Sequence, residues 1–100
     1  MDIKLETINF DADQKLIEFT NNKVSKLENY FDSIISTEVF LTFDKSKKNH
    51  TENKEAKIKL LIPGTELFAE KEAKTFEEAI DLSTDAIKKQ LKRHKEKTRS

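Results

Sequence analysis

The chain has no cysteine, and only one proline and one glycine. Without thiols there is no disulfide framework and no thiolate zinc site, and nothing implies an oxidising compartment. No apolar run approaches the ~18 residues of a membrane span, and Met1-Asp2-Ile3-Lys4-Leu5-Glu6 lacks the apolar core of a signal peptide. A cytoplasmic protein is expected. The two histidines, His50 and His94, stand far apart with no clustered partners, so a metal centre is not expected. There is no nucleophile–base pair, glycine-rich phosphate loop or H-E-x-x-H motif, and carboxylates such as Glu77 and Glu78 point in adjacent directions on a helix. No enzyme, cofactor or small-molecule substrate is expected.

Charge, by contrast, is abundant: 38% of the 100 residues are charged against 35% hydrophobic, a modest core under a highly charged exterior. That length suits a single domain spanning 1–100, able to bury roughly 60–68% of its unfolded surface. Net charge is zero, but the average conceals segregation. From Lys88 onward there are seven Lys/Arg against the single acid Glu96, a balance of +6 (seven minus one), so the rest of the chain carries −6. Local charge density, not the total, sets the field an anion meets.

Period-2 alternation marks a first strand at Ile3, Leu5 and Thr7, then strands over Glu38–Asp44, Ala56–Ile62 and Leu67–Ala73, the last with Lys71 out of place on its apolar face. Pro63-Gly64 predicts a type II turn between the last two. Asp44–Lys54 holds no apolar residue and reads as a mobile hairpin loop containing His50. A first helix, capped by Asp11 or Asp13, carries the stripe Leu16, Thr20, Val24, Leu27, Phe31 and Ile34, ending near Phe31–Ser33. Lys26 falls on one flank of that helix. Lys23 lies at the stripe's border, where its stem covers apolar surface and its amine reaches water. Tyr30, at the edge, reads as a core residue with a wet hydroxyl rather than a base-stacking one.

The second helix opens at Thr75, with Glu78 completing the form of a capping box. Phe76, Ala79, Ile80, Ser83, Ile87, Gln90 and Leu91 form its stripe, which thins as the lysines multiply. It should begin docked and end as a cationic rod, acidic early and basic late as the helix dipole favours, with a flexible tail over roughly 97–100. The order β-α-β-β-β-α predicts an α+β fold, one four-stranded sheet with both helices on one face. The other face would show Phe40, Leu61 and Phe68 among charges, a candidate protein-contact patch.

The run Lys23-Val24-Ser25-Lys26-Leu27-Glu28-Asn29-Tyr30-Phe31-Asp32, with Phe76-Glu77-Glu78-Ala79-Ile80-Asp81 and Gln90-Leu91-Lys92-Arg93-His94-Lys95-Glu96-Lys97, resembles the ribosome hibernation promoting factors, also known as the sigma-54 modulation or ribosome-associated inhibitor family. The resemblance covers essentially the whole chain and points to the short form, without a dimerisation domain. One departure is Thr7-Ile8-Asn9-Phe10, where many relatives have a Gly-Asn or Gly-Arg-Asn turn. The resemblance implies a non-enzymatic factor, monomeric when free, that binds rRNA of the small ribosomal subunit and occludes the tRNA and mRNA sites, without DNA or membrane partners. Carried over by motif, its rRNA contacts would be Lys23, Lys26, Lys89, Arg93, His94, Lys95 and Lys97, with Lys88 and Lys92 added on charge alone. His94 also falls in line with Phe76 and Ile87, so a packed histidine stands beside the RNA contact. Phosphate contacts of this kind position a protein without reading sequence, and RNA shape would supply specificity. The competing readings are a protein-interaction module using the open sheet face, and a general binder of double-stranded RNA.

Overall fold

Alternation of apolar and charged residues decides which face of each strand turns inward, and a computed structural model, describing residues 1–46 and 52–98, shows where those faces meet. The strands are β1 (Asp2–Ile8), β2 (Ser36–Phe43), β3 (Lys54–Ile62) and β4 (Thr65–Ala73). They form one sheet in the order β1-β2-β3-β4, with β1 and β2 parallel and the other pairs antiparallel. Helix α1 (Gln14–Ser25) makes the crossover between the parallel pair, as such pairing requires. Helix α2 (Phe76–Thr98) follows β4. The α+β expectation is met.

The inward residues Val39, Leu41, Ala56, Ile58, Leu60 and Ile62 are fully buried beneath the helix residues Val24, Leu27, Ile80, Ile87 and Leu91. Burying each large aliphatic side chain contributes about 1.5–3 kcal/mol relative to exposure. Polar groups inside this core are satisfied locally. The Thr20 hydroxyl donates to the Leu16 carbonyl at 2.8 Å, and the Ser83 hydroxyl lies 2.7 Å from the Ala79 carbonyl and 2.9 Å from that of Ala56 on β3.

Caps and turns follow residue chemistry. Of the two candidate caps for α1, Asp13 is the one used: its carboxylate accepts the Leu16 N–H at 2.8 Å. Thr75 Oγ1 accepts the Glu78 N–H at 3.1 Å. Gly64, at φ 82°, takes the positive-φ position that a type II turn after Pro63 demands. After the first strand Asn9 adopts φ 69°, and its amide donates to the Phe43 carbonyl at 3.2 Å. Asparagine tolerates the left-handed region better than most other L-residues, so this turn needs no glycine.

Two expectations need correction. Helix α1 ends at Ser25, not near Phe31–Ser33; a 3₁₀ turn over Lys26–Asn29 follows, with the Tyr30 N–H donating to the Leu27 carbonyl at 3.0 Å. Phe31 and Ile34 still reach the core, but from the connection to β2 rather than from a helix. Tyr30 is 45% exposed and not a core residue, because the chain has left the helix and its spacing no longer governs where the ring points. Helix α2 is described through Lys97 to Thr98, and the remainder of the tail expected over roughly 97–100, Arg99 and Ser100, lies outside the described residues. The hairpin closes with the Asp44 N–H donating to the Asn53 carbonyl at 2.8 Å, and His50 lies outside the described residues.

Candidate nucleic-acid interface

Helix α2 is pinned at intervals along its length, and those pins determine where its cations point. At its start Phe76 stacks on Phe10 from the β1–α1 connection, ring centroids 4.2 Å apart and planes 13° apart. Midway, the Ser83 hydroxyl bridges to β3. Further on, Gln90 Nε2 donates to the Phe68 carbonyl of edge strand β4 at 2.7 Å, while Ile87 and Leu91 are fully buried. Beyond Leu91, half-buried His94 meets Phe31 edge-on at 5.8 Å. The packed reading of His94 is thus realised, although its ring also borders the surface beside Arg93 and Lys97.

Helix α1 lies against α2. The Lys23 amine sits 2.9 Å from the Asp81 carboxylate of α2 and 5.6 Å from the centre of the Phe19 ring. Both ends of the ion pair are partly exposed, so it contributes little stability, about 0–1 kcal/mol. It does fix which way Lys23 points.

The basic residues line four shallow grooves around the outward side of α2. The first, about 380 Å³, is walled by Asn29, Tyr30, Lys88, Lys89, Lys92 and Lys95, with Asp85 at its margin. The second, about 400 Å³, holds Lys23, Lys26 and Lys88 with Asp81 and Asp85. Lys89 and Arg93 face a third groove, toward β4, together with Lys71. The last borders the β3–β4 hairpin and carries Arg93, His94 and Lys97. Lys88 and Asp85 are common to the first two, and Lys89 links the first to the third. The grooves bring Lys23 and Lys26 together with Lys92 and Lys95 through Lys88, while Arg93, His94 and Lys97 lie around the helix toward β4 and the β3–β4 hairpin.

Three contributors were missed by sequence reasoning. Lys71 breaks the apolar face of its strand because β4 is an edge strand, and its side chain emerges past α2 into the groove of Lys89 and Arg93. Asp81 and Asp85 intrude among the lysines. Their signal was present, since Asp85 lies three and four residues before Lys88 and Lys89, the spacing of helical neighbours. These acids lower the positive field at the α1 end of the surface and leave it strongest toward the C-terminal end of α2.

On the opposite sheet face Leu61 and Phe68 are diagonal neighbours on adjacent strands, within reach of one another. Phe40 is separated from Phe68 by Lys59, which pairs with Phe68 and places its amine 5.9 Å from the centre of the Phe40 ring. Ile8 of β1 is also exposed on this face, and charges stand among the apolar residues, with Lys57 and Glu70 paired at 3.6 Å. Nearby, Glu55 is held above its ordinary pKa, mainly by burial and then by the Glu70 charge, against a smaller opposing pull from Lys57.

Among the described residues no helix is long and apolar enough to cross a membrane, and no group of three or more His, Asp or Glu stands together to hold a metal ion.

Comparison with known proteins places this arrangement. The family described as sigma 54 modulation protein / S30EA ribosomal protein matches residues 3–99. A ribosome hibernation promoting factor from Azotobacter vinelandii is 32% identical over 97 residues, covering 97% of this chain and 85% of the relative. The protein of the same name from Escherichia coli K12 is also 32% identical over 97 residues, with 97% and 96% covered. Among solved structures, the N-terminal domain of Thermus thermophilus Protein Y superposes with a TM-score of 0.79 at 26% identity, covering 94% of this chain and 99% of that one. A ribosomal subunit interface protein from Coxiella burnetii shares the fold, with a TM-score of 0.83 at 21% identity over 95% of this chain and 98% of that one.

Proposed function

The chain belongs to the sigma 54 modulation protein / S30EA ribosomal protein family, and from that premise we propose that it is a cytoplasmic, ribosome-associated hibernation factor that docks its α2 surface on small-subunit rRNA. Bound there, it occupies the space that tRNA and mRNA require. The action is steric rather than enzymatic, performed by a monomer without a cofactor.

What carries the reading is the continuity of the basic grooves through Lys88 and Lys89, which links cations from the α1 region, α2 and Lys71 of β4. A phosphate backbone laid along α2 meets Lys92, Arg93, Lys95 and Lys97 without crossing an acid other than Glu96. Each neutralised phosphate releases condensed counterions, so binding strengthens as salt falls. The names of the relatives, ribosome hibernation promoting factor, agree with this partner. The open sheet face supports a protein-interaction role less well, because Lys59 interrupts its apolar residues.

The test is charge reversal. Replacing Lys89, Arg93 and Lys95 together with glutamate should abolish co-sedimentation with the small subunit while leaving the thermal melt nearly unchanged, since all three are exposed. Retention of wild-type binding by that variant would reject rRNA docking through α2.

A further inference from the structure

Tyr30 is an aromatic ring that the core does not use. It is 45% exposed, and its backbone is fixed by the hydrogen bond to Leu27 at the end of the 3₁₀ turn. The ring lines the same groove as Lys88, Lys89, Lys92 and Lys95 of α2. The Lys88 amine lies over its face, 5.2 Å from the ring centre.

We propose that Tyr30 is a stacking platform for one unpaired nucleobase of RNA, with the phosphates flanking that base held by Lys92 and Lys95. The inference rests on the rRNA-docking reading and names a recognition element within it.

The chemistry of the groove selects this ligand. Lysines alone accept any polyanion, and an aromatic wall alone accepts any flat or apolar group. A ring and several amines lining one groove match a base joined to its own phosphates. Stacking on aromatic side chains is the usual way proteins hold splayed-out bases, and it tolerates any of the four because each has a π-face. Lys88 has two positions available: over the ring when the groove is empty, attracted by the ring's quadrupole, and on a phosphate once a base displaces it. Asn29, on the same wall, offers both a donor and an acceptor to a base edge. A paired helix presents no such base, so the groove distinguishes single-stranded or bulged RNA from duplex.

Tyr30 is the only tyrosine and the chain has no tryptophan, so intrinsic tyrosine fluorescence reports on this ring alone. The full chain is titrated with a short single-stranded RNA, the same RNA as a duplex, and inorganic polyphosphate. Single strand should quench the emission deeply, and polyphosphate should bind in a salt-dependent manner without comparable quenching. Tyr30→Ala should bind the single strand about 5- to 150-fold more weakly, with polyphosphate affinity unchanged, while Tyr30→Phe retains both. Equal quenching by polyphosphate, or a Tyr30→Ala affinity equal to wild type, would overturn stacking. Ribosome co-sedimentation of the wild type separates the two readings. Wild-type binding to ribosomes with an unchanged Tyr30→Ala defeats the platform alone; failure of the wild type to bind ribosomes defeats the docking reading, whereas the free-RNA titration still decides the platform.

Discussion

Leu91 should hold the cationic end of α2 onto the body of the protein. It is fully buried, whereas Lys92, Arg93 and Lys95–Lys97 just beyond it are exposed. Truncation to alanine removes most of a buried aliphatic side chain and leaves a cavity, a change that costs about 2–5 kcal/mol in well-packed cores. Phe31 and His94, half-buried at this end of the helix, can close part of the space, which places the expected loss near 3 kcal/mol. In a domain of this size each kcal/mol moves Tm by about 4–8 °C, so Leu91→Ala should melt roughly 12–24 °C below wild type by circular dichroism. Lys92→Ala, one residue on but exposed, should change stability by less than ~0.5 kcal/mol. Hydrogen exchange should show faster opening of α2 beyond Gln90 in Leu91→Ala, and small-subunit affinity should weaken as the rod loses its fixed direction. A loss below about 1 kcal/mol would refute the idea that Leu91 anchors this end.

Asp81→Asn frees Lys23 from its 2.9 Å partner and removes a repelling charge; it should tighten RNA binding several-fold at low salt and alter stability by less than ~1 kcal/mol, and weaker binding would contradict the assignment of Lys23. Because the Glu55 pKa is raised in the fold, the folded state holds that proton more tightly, and the associated stability is lost as pH rises from the ordinary carboxylate pKa through the raised one. Glu55→Gln should therefore stabilise at neutral pH and have no effect in acid, as urea titrations at the two pH values would show. Gly64→Ala should cost about 1–2 kcal/mol although its added methyl meets nothing within 4 Å, because φ is +82°; a neutral melt would refute that.

The strands and α2 were legible because their patterns are simple. Ala56, Ile58, Leu60 and Ile62 alternate cleanly and all prove buried, and Thr75 caps where its sequence context indicates. The end of α1 was not legible, since no proline or glycine stops it and Phe31 and Ile34 continue its apolar spacing. They are buried for a tertiary reason, Phe31 against His94 across some sixty residues of chain. Lys23 and Lys26 could be put on one flank of α1 by angle alone, but that they meet Lys88 depends on how α1 rests on α2. Lys71 was noticed only as a misfit in its strand and Tyr30 was assigned to the core, because the position of each depends on its neighbouring elements and not on its own spacing.

The central claim is that one continuous basic surface binds ribosomal phosphate, and a salt series measures it directly. Wild-type protein co-sedimented with small ribosomal subunits from low to physiological salt should give a log–log slope of roughly −4 to −6, the value for about five to seven phosphate contacts. A slope near zero with binding intact would mean that the lysines of α2 face solvent rather than RNA.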